Sequence, residues 1–418
     1  MKKKIFCTLF TVIFVTILPV SSQVRYQTDI LNNQIKTLQV KVADQPFSPP
    51  YIKLDGDQQI EINFDALEHS YKRFAYSVIH CDADWQASSL SPIEYMNGFQ
   101  GMVIDDFANS INTTVQYTNF RLFLPNEDVQ LKVSGNYAVN IYEEGQPDQL
   151  LLTACFSVVE PVVDISSTVS SSTTIDFNKG HQQVSFSLHP KNFPIPFPQS
   201  DLKIQVLQNN RRDNMVTNIQ PTTVAGNRIV YEYNRDLIFE AGNEYRRIEF
   251  LSTGYNGMGV NSIRFHNPYY HVELTTDEPR ANRSYQYDQD QNGRLFVRCS
   301  SCNEPDIEAD YYIVHFALAC EPFLDGSVYL NGDLVNNILD DRSKMVYNFE
   351  TGQYEKHLLL KAGNYNYQYL FVPKGKKEGS PAGVEGNYHE AENEYTIAVY
   401  YRPMGAHYDR LIGVAKTN

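Results

Sequence analysis

His80-Cys81-Asp82-Ala83-Asp84 sets one imidazole and two carboxylates at alternate positions. On a strand, alternate side chains share a face, so this spacing could offer one nitrogen and two oxygens to a single ion. Zinc or calcium would need further ligands, and no second His/Asp cluster stands out to supply them. A strand end whose carboxylates accept backbone N–H bonds is the expected arrangement, and no metal is assigned. Cys299-Ser300-Ser301-Cys302 has redox-motif spacing. Catalytic versions sit at a helix N-terminus, which lowers the thiol pKa. Here Arg294 to Arg298 reads as a strand and Asn303-Glu304-Pro305 as a turn. With no second cysteine pair for zinc, a local disulfide between Cys299 and Cys302, or two idle thiols, is expected. Asp288-Gln289-Asp290-Gln291-Asn292-Gly293 resembles a calcium loop, but the acidic residue required twelve positions along is Cys299. A hairpin turn is expected instead. No Gly-x-Ser-x-Gly, His-Glu-x-x-His or phosphate-cradling loop occurs. No catalytic residue or cofactor is assigned, and the chain is expected not to be an enzyme.

The elements that must position these residues are strands. Leu38, Val40 and Val42 alternate with polar residues, as do Ile60, Ile62 and Phe64. Tyr76 to Cys81 is apolar on both faces, as in a strand covered on both sides. Tyr117 to Leu124, Val129 to Val133, Tyr137 to Tyr142 and Leu150 to Val159 follow, divided by Pro49-Pro50, Asp55-Gly56, Pro125-Asn126, Gly135-Asn136 and Gly145. Short strands with regular turn signals predict a β-sandwich over residues 23–160. Its loop from Ser88 to Asn112 is long, with a short helix near Pro92 to Met96. Ser166 to Thr174 is a polar spacer or an edge strand. Pro190 to Pro198 holds four prolines and cannot be an inner strand. A second sandwich is expected over 161–284 and a third over 285–418, so the fold class is all-β, tandem immunoglobulin-like sandwiches. In the third, Asn331-Gly332 is expected to be a hairpin turn.

The chain has 418 residues and a formal net charge of −14. That balance suits neither nucleic acid nor anionic lipid. Lys2-Lys3-Lys4, the apolar run Ile5 to Leu18 and Val20-Ser21-Ser22 form a signal-peptide pattern over residues 1–22. The run falls short of the roughly 20 residues that a spanning helix needs. An exported protein with no direct membrane insertion is expected. Beyond that segment lie Cys81, Cys155, Cys299, Cys302 and Cys320, an odd number, so at least one thiol stays unpaired within the monomer. Tyrosine is abundant at 29 residues, which favours sheets and aromatic surfaces.

Tyr76 to Trp85, which contains the single tryptophan, is followed by Glu94-Tyr95-Met96-Asn97-Gly98-Phe99, Ser110-Ile111-Asn112-Thr113, Tyr117-Thr118 and Ser134-Gly135-Asn136-Tyr137. In this order they resemble the first domain of the type IX secretion system plug protein family of Bacteroidetes. The resemblance extends to Asp288 to Arg294, Asp310-Tyr311, Val314-His315-Phe316, Tyr400-Tyr401-Arg402-Pro403 and Tyr408-Asp409. It implies a periplasmic protein that binds the outer-membrane type IX translocon β-barrel and occludes its periplasmic mouth when idle. Trp85, Tyr95 and Phe99 are expected to make that contact, the alternative being that Trp85 only caps the core. The third unit also looks like an early-set, glycogen-binding type of sandwich, through Gly326 to Asp333 and Gly363 to Tyr369. The alternative is therefore a carbohydrate-binding module, with Tyr365, Tyr367 and Tyr369 as a stacking platform or simply a packed ladder.

Overall fold

The computed structural model describes residues 24–69 and 72–418, and the expected signal peptide lies outside them. Period-two alternation builds the first sandwich. One sheet runs Asp29–Ile30, Leu150–Val159, Gly135–Glu143, Phe74–Cys81 and Met102–Val103, with Tyr51–Lys53 added parallel to Leu150–Val159. The facing sheet runs Ile35–Val42, Ile60–Ala66, Thr118–Leu124 and Phe107–Asn109. Ile60, Ile62 and Phe64 point between the sheets, against Val78, Val139 and Phe156. Glu61, Asn63 and Asp65 on the opposite face are buried as well.

The second sandwich pairs Val163–Ser170, His181–Pro190, Arg228–Tyr231 and Thr223–Ala225 in one sheet. Its other sheet runs Val216–Thr217, Leu202–Gln208, Tyr395–Tyr401 and Arg410–Thr417. The third places Arg246–Phe250, Gly363–Pro373, Leu295–Val297 and Gly326–Asn331 against a five-stranded sheet. That sheet runs Val260–His266, Tyr269–Leu274, Tyr311–Ala319, Gln353–Lys361 and Val346–Asn348.

The sheets therefore divide the chain differently from the expected boundary at 284/285. The last two strands complete the second sandwich, with Leu202 opposite Tyr401 and Gln208 opposite Tyr395. Residues 246–274 belong to the third, which is inserted into the second. Alternation marks a strand, but not which partner it finds across some 190 residues. Asn331-Gly332 is not a tight hairpin either. Gly332 takes φ 138 and leads into a 3₁₀ turn, while Gly326–Asn331 pairs with the distant Gly363–Pro373. Ser166 to Ser170 lies in an edge strand, and Phe193 of the proline-rich segment packs edge-on against Tyr401.

Candidate functional site

The strand Phe74–Cys81 ends where Asp82 begins a turn, closed by the Trp85 N–H on the Asp82 carbonyl at 2.9 Å. Trp85 takes φ 63, so the two-residue alternation stops and His80, Asp82 and Asp84 do not converge. His80 bonds Ser88 and the Ser134 carbonyl, and Asp84 accepts from the Gln86 N–H. Among the described residues, no group of three His, Cys, Asp or Glu side chains is placed to hold a metal ion. Gly135 fits this corner because a Cβ there would stand 2.3 Å from His80 Nε2, at a φ of 141.

Asp82 instead reaches the C-terminal hairpin. Its Oδ2 takes Arg402 at 3.0 Å, and its Oδ1 accepts the Asp409 N–H at 3.0 Å. Asp409 Oδ2 in turn accepts the Ala83 N–H at 2.9 Å and Lys203 at 2.8 Å. Tyr400 donates to Asn136 Oδ1 at 2.9 Å, and Tyr408 packs edge-on against His80. Stretches separated by some 320 residues thus form one lock between the first and second sandwiches.

A second lock joins the first and third. Asp65 and Lys361 meet at 2.6 Å with both side chains essentially out of solvent. Tyr311 donates to the same Asp65 oxygen, and Asn119 to the other. Burial raises the Asp65 pKa, while its donors oppose the shift. Lys361 also sits 4.1 Å over the Tyr117 ring, and Tyr117 donates to the Ala309 carbonyl. Asp310 accepts the Thr114 and Val115 N–H groups. Between third and second, Arg294 bonds Glu394 at 2.5 Å, next to the strand Tyr395–Tyr401.

Trp85 and Tyr95 are only 8% and 4% exposed. Trp85 packs with Cys81, Ala138 and Cys155, and the Arg212 guanidinium of the second sandwich stacks on its ring at 4.1 Å. Tyr95 donates to the Val78 carbonyl at 2.8 Å. Both were expected at a partner surface, and both are enclosed. Phe99 is 79% exposed. The loop that carries it is held firmly. Gln100 brackets Val78, accepting its N–H and donating to its carbonyl, each at 2.7 Å. Gly98 sits opposite Val129 at φ 129, where a Cβ would lie 2.0 Å from the Asp128 carbonyl. The helix Pro92–Tyr95 is capped by Glu94, which takes the Ser91 N–H and hydroxyl and is held below its ordinary pKa by those bonds. Ile93, on that helix, and Met404, on the C-terminal hairpin, are also exposed; Ser89 Oγ donates to the His407 carbonyl and ties the two loops together. Ile93 and Met404 had no sequence signal of their own, since an apolar residue in a loop looks the same whether covered or bare.

Cys299 and Cys302 are joined by a disulfide, while Cys81, Cys155 and Cys320 are free. Burial pushes the Cys81 thiol far up and the Cys155 thiol to about 11, which leaves both unreactive. Tyr365, Tyr367 and Tyr369 are buried, the last two donating to Asp277. No face of this ladder is left for a sugar, which removes the expected stacking platform.

The description "Type 9 secretion system plug protein 1st domain" matches residues 35–160. Residues 35–160 are the first domain of the type IX secretion system plug family. A crystal structure of a hypothetical protein from Parabacteroides merdae ATCC 43184, at 2.30 Å resolution, is similar over nearly the whole length. It is 66% identical, covers 94% of this chain and 100% of its own, and superposes with a TM-score of 0.94. No curated protein matches the chain. On this fold Asp82, Asp310, Arg294 and Asp409 lie at the joints between sandwiches, and Phe99, Ile93 and Met404 are exposed beside one joint, as Leu324, Phe349 and Tyr233 are elsewhere.

Proposed function

We propose that this plug-family protein is a periplasmic subunit that docks on the outer-membrane type IX translocon barrel and covers its periplasmic mouth while no cargo occupies it. The family match over residues 35–160 carries this reading. A wide barrel with an aqueous lumen leaks solutes, so an idle one needs a cover. Three sandwiches joined by ion pairs, that of Asp65 and Lys361 fully buried, suit that task, because a cover acts by holding its shape. Reversible release favours a polar interface with a few apolar anchors. Phe99 and Ile93, mounted on a braced loop and flanked by Met404, are the anchors of this reading. Among the described residues no helix is long and apolar enough to cross a membrane.

The test is affinity isolation of the full chain from native outer membranes, paired with a small-solute uptake assay on a strain lacking it. Recovery of the barrel and a leakier envelope support the reading. An envelope that stays equally tight with the barrel present and idle overturns it.

A further inference from the structure

A cavity of about 310 Å³ opens where the strand Ile35–Val42 of the first sandwich meets the third. Leu38, Leu295, Leu334, Leu358 and Leu360 form its apolar wall. Strand pairing leaves this wall accessible. Val346–Asn348 pairs with Gln353–Lys361 only from Gln353 to Glu355, so Lys356 to Leu360 has no strand on that side.

Lys36, Thr37 and Leu38 are consecutive, yet all three line the cavity. A β-bulge explains this, because the register with Ile60–Ala66 shifts between Lys36 and Gln39 and breaks the alternation. Thr37 takes φ 53, a costly backbone state for a β-branched residue, and bonds the Tyr311 hydroxyl at 2.6 Å. Strain of this kind persists where surrounding structure enforces it, and it often marks a ligand clamp.

Lys36 is half-buried, and among the described residues its ammonium has no hydrogen-bond or ion-pair partner. The other two cations of the lining have partners: Arg342 pairs with Asp29 and Asp340, and Lys356 donates to the Asp341 carbonyl at 3.0 Å. The remaining carboxylate of the wall, Asp333, is engaged by Asn337 and faces Arg294. Burial, with the Arg342 charge nearby, lowers the Lys36 pKa, as expected of a cation lacking its counter-charge. A domain-junction cavity of this size, with an apolar wall and a few convergent polar groups of which only the Lys36 ammonium lacks a partner among the described residues, has the form of a small-molecule site.

We propose that the cavity binds a small amphiphile with an oxyanion head, carboxylate or phosphate, the head on Lys36 and the apolar body on the leucine wall. Such a ligand bridges the first and third sandwiches and stabilises their junction in proportion to its occupancy. This site is independent of the plug reading and can stand or fall without it.

Titration calorimetry on residues 23–418 tests it, with octanoate, octyl phosphate, octanol and octylammonium as probes. The two anions are expected to bind at a single site, and octanol and octylammonium not to. Lys36→Met should weaken octanoate about tenfold or more, the loss of a charge-assisted bond, while Lys36→Arg retains it. Leu334→Trp, which fills the cavity, should abolish binding with an unchanged far-ultraviolet spectrum, and it serves if the Lys36 variant misfolds. Myristate tighter than octanoate points to a lipid source, and the reverse to a soluble acid. No binding by either anion, octanol binding as tightly as octanoate, or full affinity in folded Lys36→Met or Leu334→Trp overturns the proposal.

Discussion

The buried carboxylate of Asp409 accepts the backbone N–H of Ala83 at 2.9 Å, across 326 residues of chain. Lys203, from a third part of the sequence, reaches the same oxygen at 2.8 Å. One side chain thus fixes the corner of the first sandwich, the C-terminal hairpin and a central strand of the second. Removing it leaves a buried N–H unpaired and takes the nearest opposite charge from Lys203.

Asp409→Ala should therefore destabilise the protein by about 3 kcal/mol in urea denaturation, within the range for breaking a buried charged contact. Asp409→Asn keeps an oxygen for the Ala83 N–H and loses only the charge, so it should cost clearly less. Equal losses for the two variants would show that the backbone bond contributes nothing.

His80 makes stability depend on pH. Its Nε2–H donates to the Ser134 carbonyl at 3.2 Å and its Nδ1 accepts from Ser88 at 2.8 Å, which is the neutral tautomer. Burial pushes its pKa from 6.5 down to about 4. Between these values the unfolded chain binds the proton and the folded chain does not. This contribution is complete above pH 6.5 and is lost as pH falls toward 4, by about 3 kcal/mol in all. His80→Gln should flatten that part of the stability–pH curve, as read by denaturation at several pH values. An unchanged slope would assign the acid sensitivity elsewhere.

The pattern rules that made the strands legible also show why the site was not. Ile60, Ile62 and Phe64 alternate and face the core, and Phe74 to Cys81 is covered on both sides, because each strand's own residues decide those features. Trp85 looked like a rim anchor because the ring that matters to it, or rather the cation, is Arg212, which is remote in sequence. The same holds for Asp82, whose carboxylate is spoken for by Arg402 and Asp409. Tyr365, Tyr367 and Tyr369 share a face as expected, but only the fold shows that Asp277 and the core occupy it. Long-range pairing, which spacing does not encode, decided each of these.

Asp65 and Lys361 should behave as an obligate pair. Lys361→Met strands a buried carboxylate with only its Tyr311 and Asn119 donors left, and should cost about 3–5 kcal/mol. Adding Asp65→Asn removes that stranded charge, so the double variant should recover part of the loss. A double-mutant cycle by chemical denaturation measures the coupling, and additive losses would mean that the two groups act separately.

Phe99 separates folding from docking. Its ring lies in solvent, so Phe99→Ala should change stability by no more than about 0.5 kcal/mol. If it is an apolar anchor of the partner interface, the same change should cost about 2 kcal/mol of binding, roughly thirtyfold in affinity. Tyr95→Phe provides the converse: it removes the bond to the Val78 carbonyl beneath the loop, costs about 1 kcal/mol of stability and leaves the exposed ring in place. Co-purification of the barrel with each folded variant decides between the two roles. Barrel recovery lost with Phe99→Ala and kept with Tyr95→Phe locates the contact on this loop. Full recovery with Phe99→Ala, and with Phe99→Ala combined with Ile93→Ala, moves the contact to another face of the molecule.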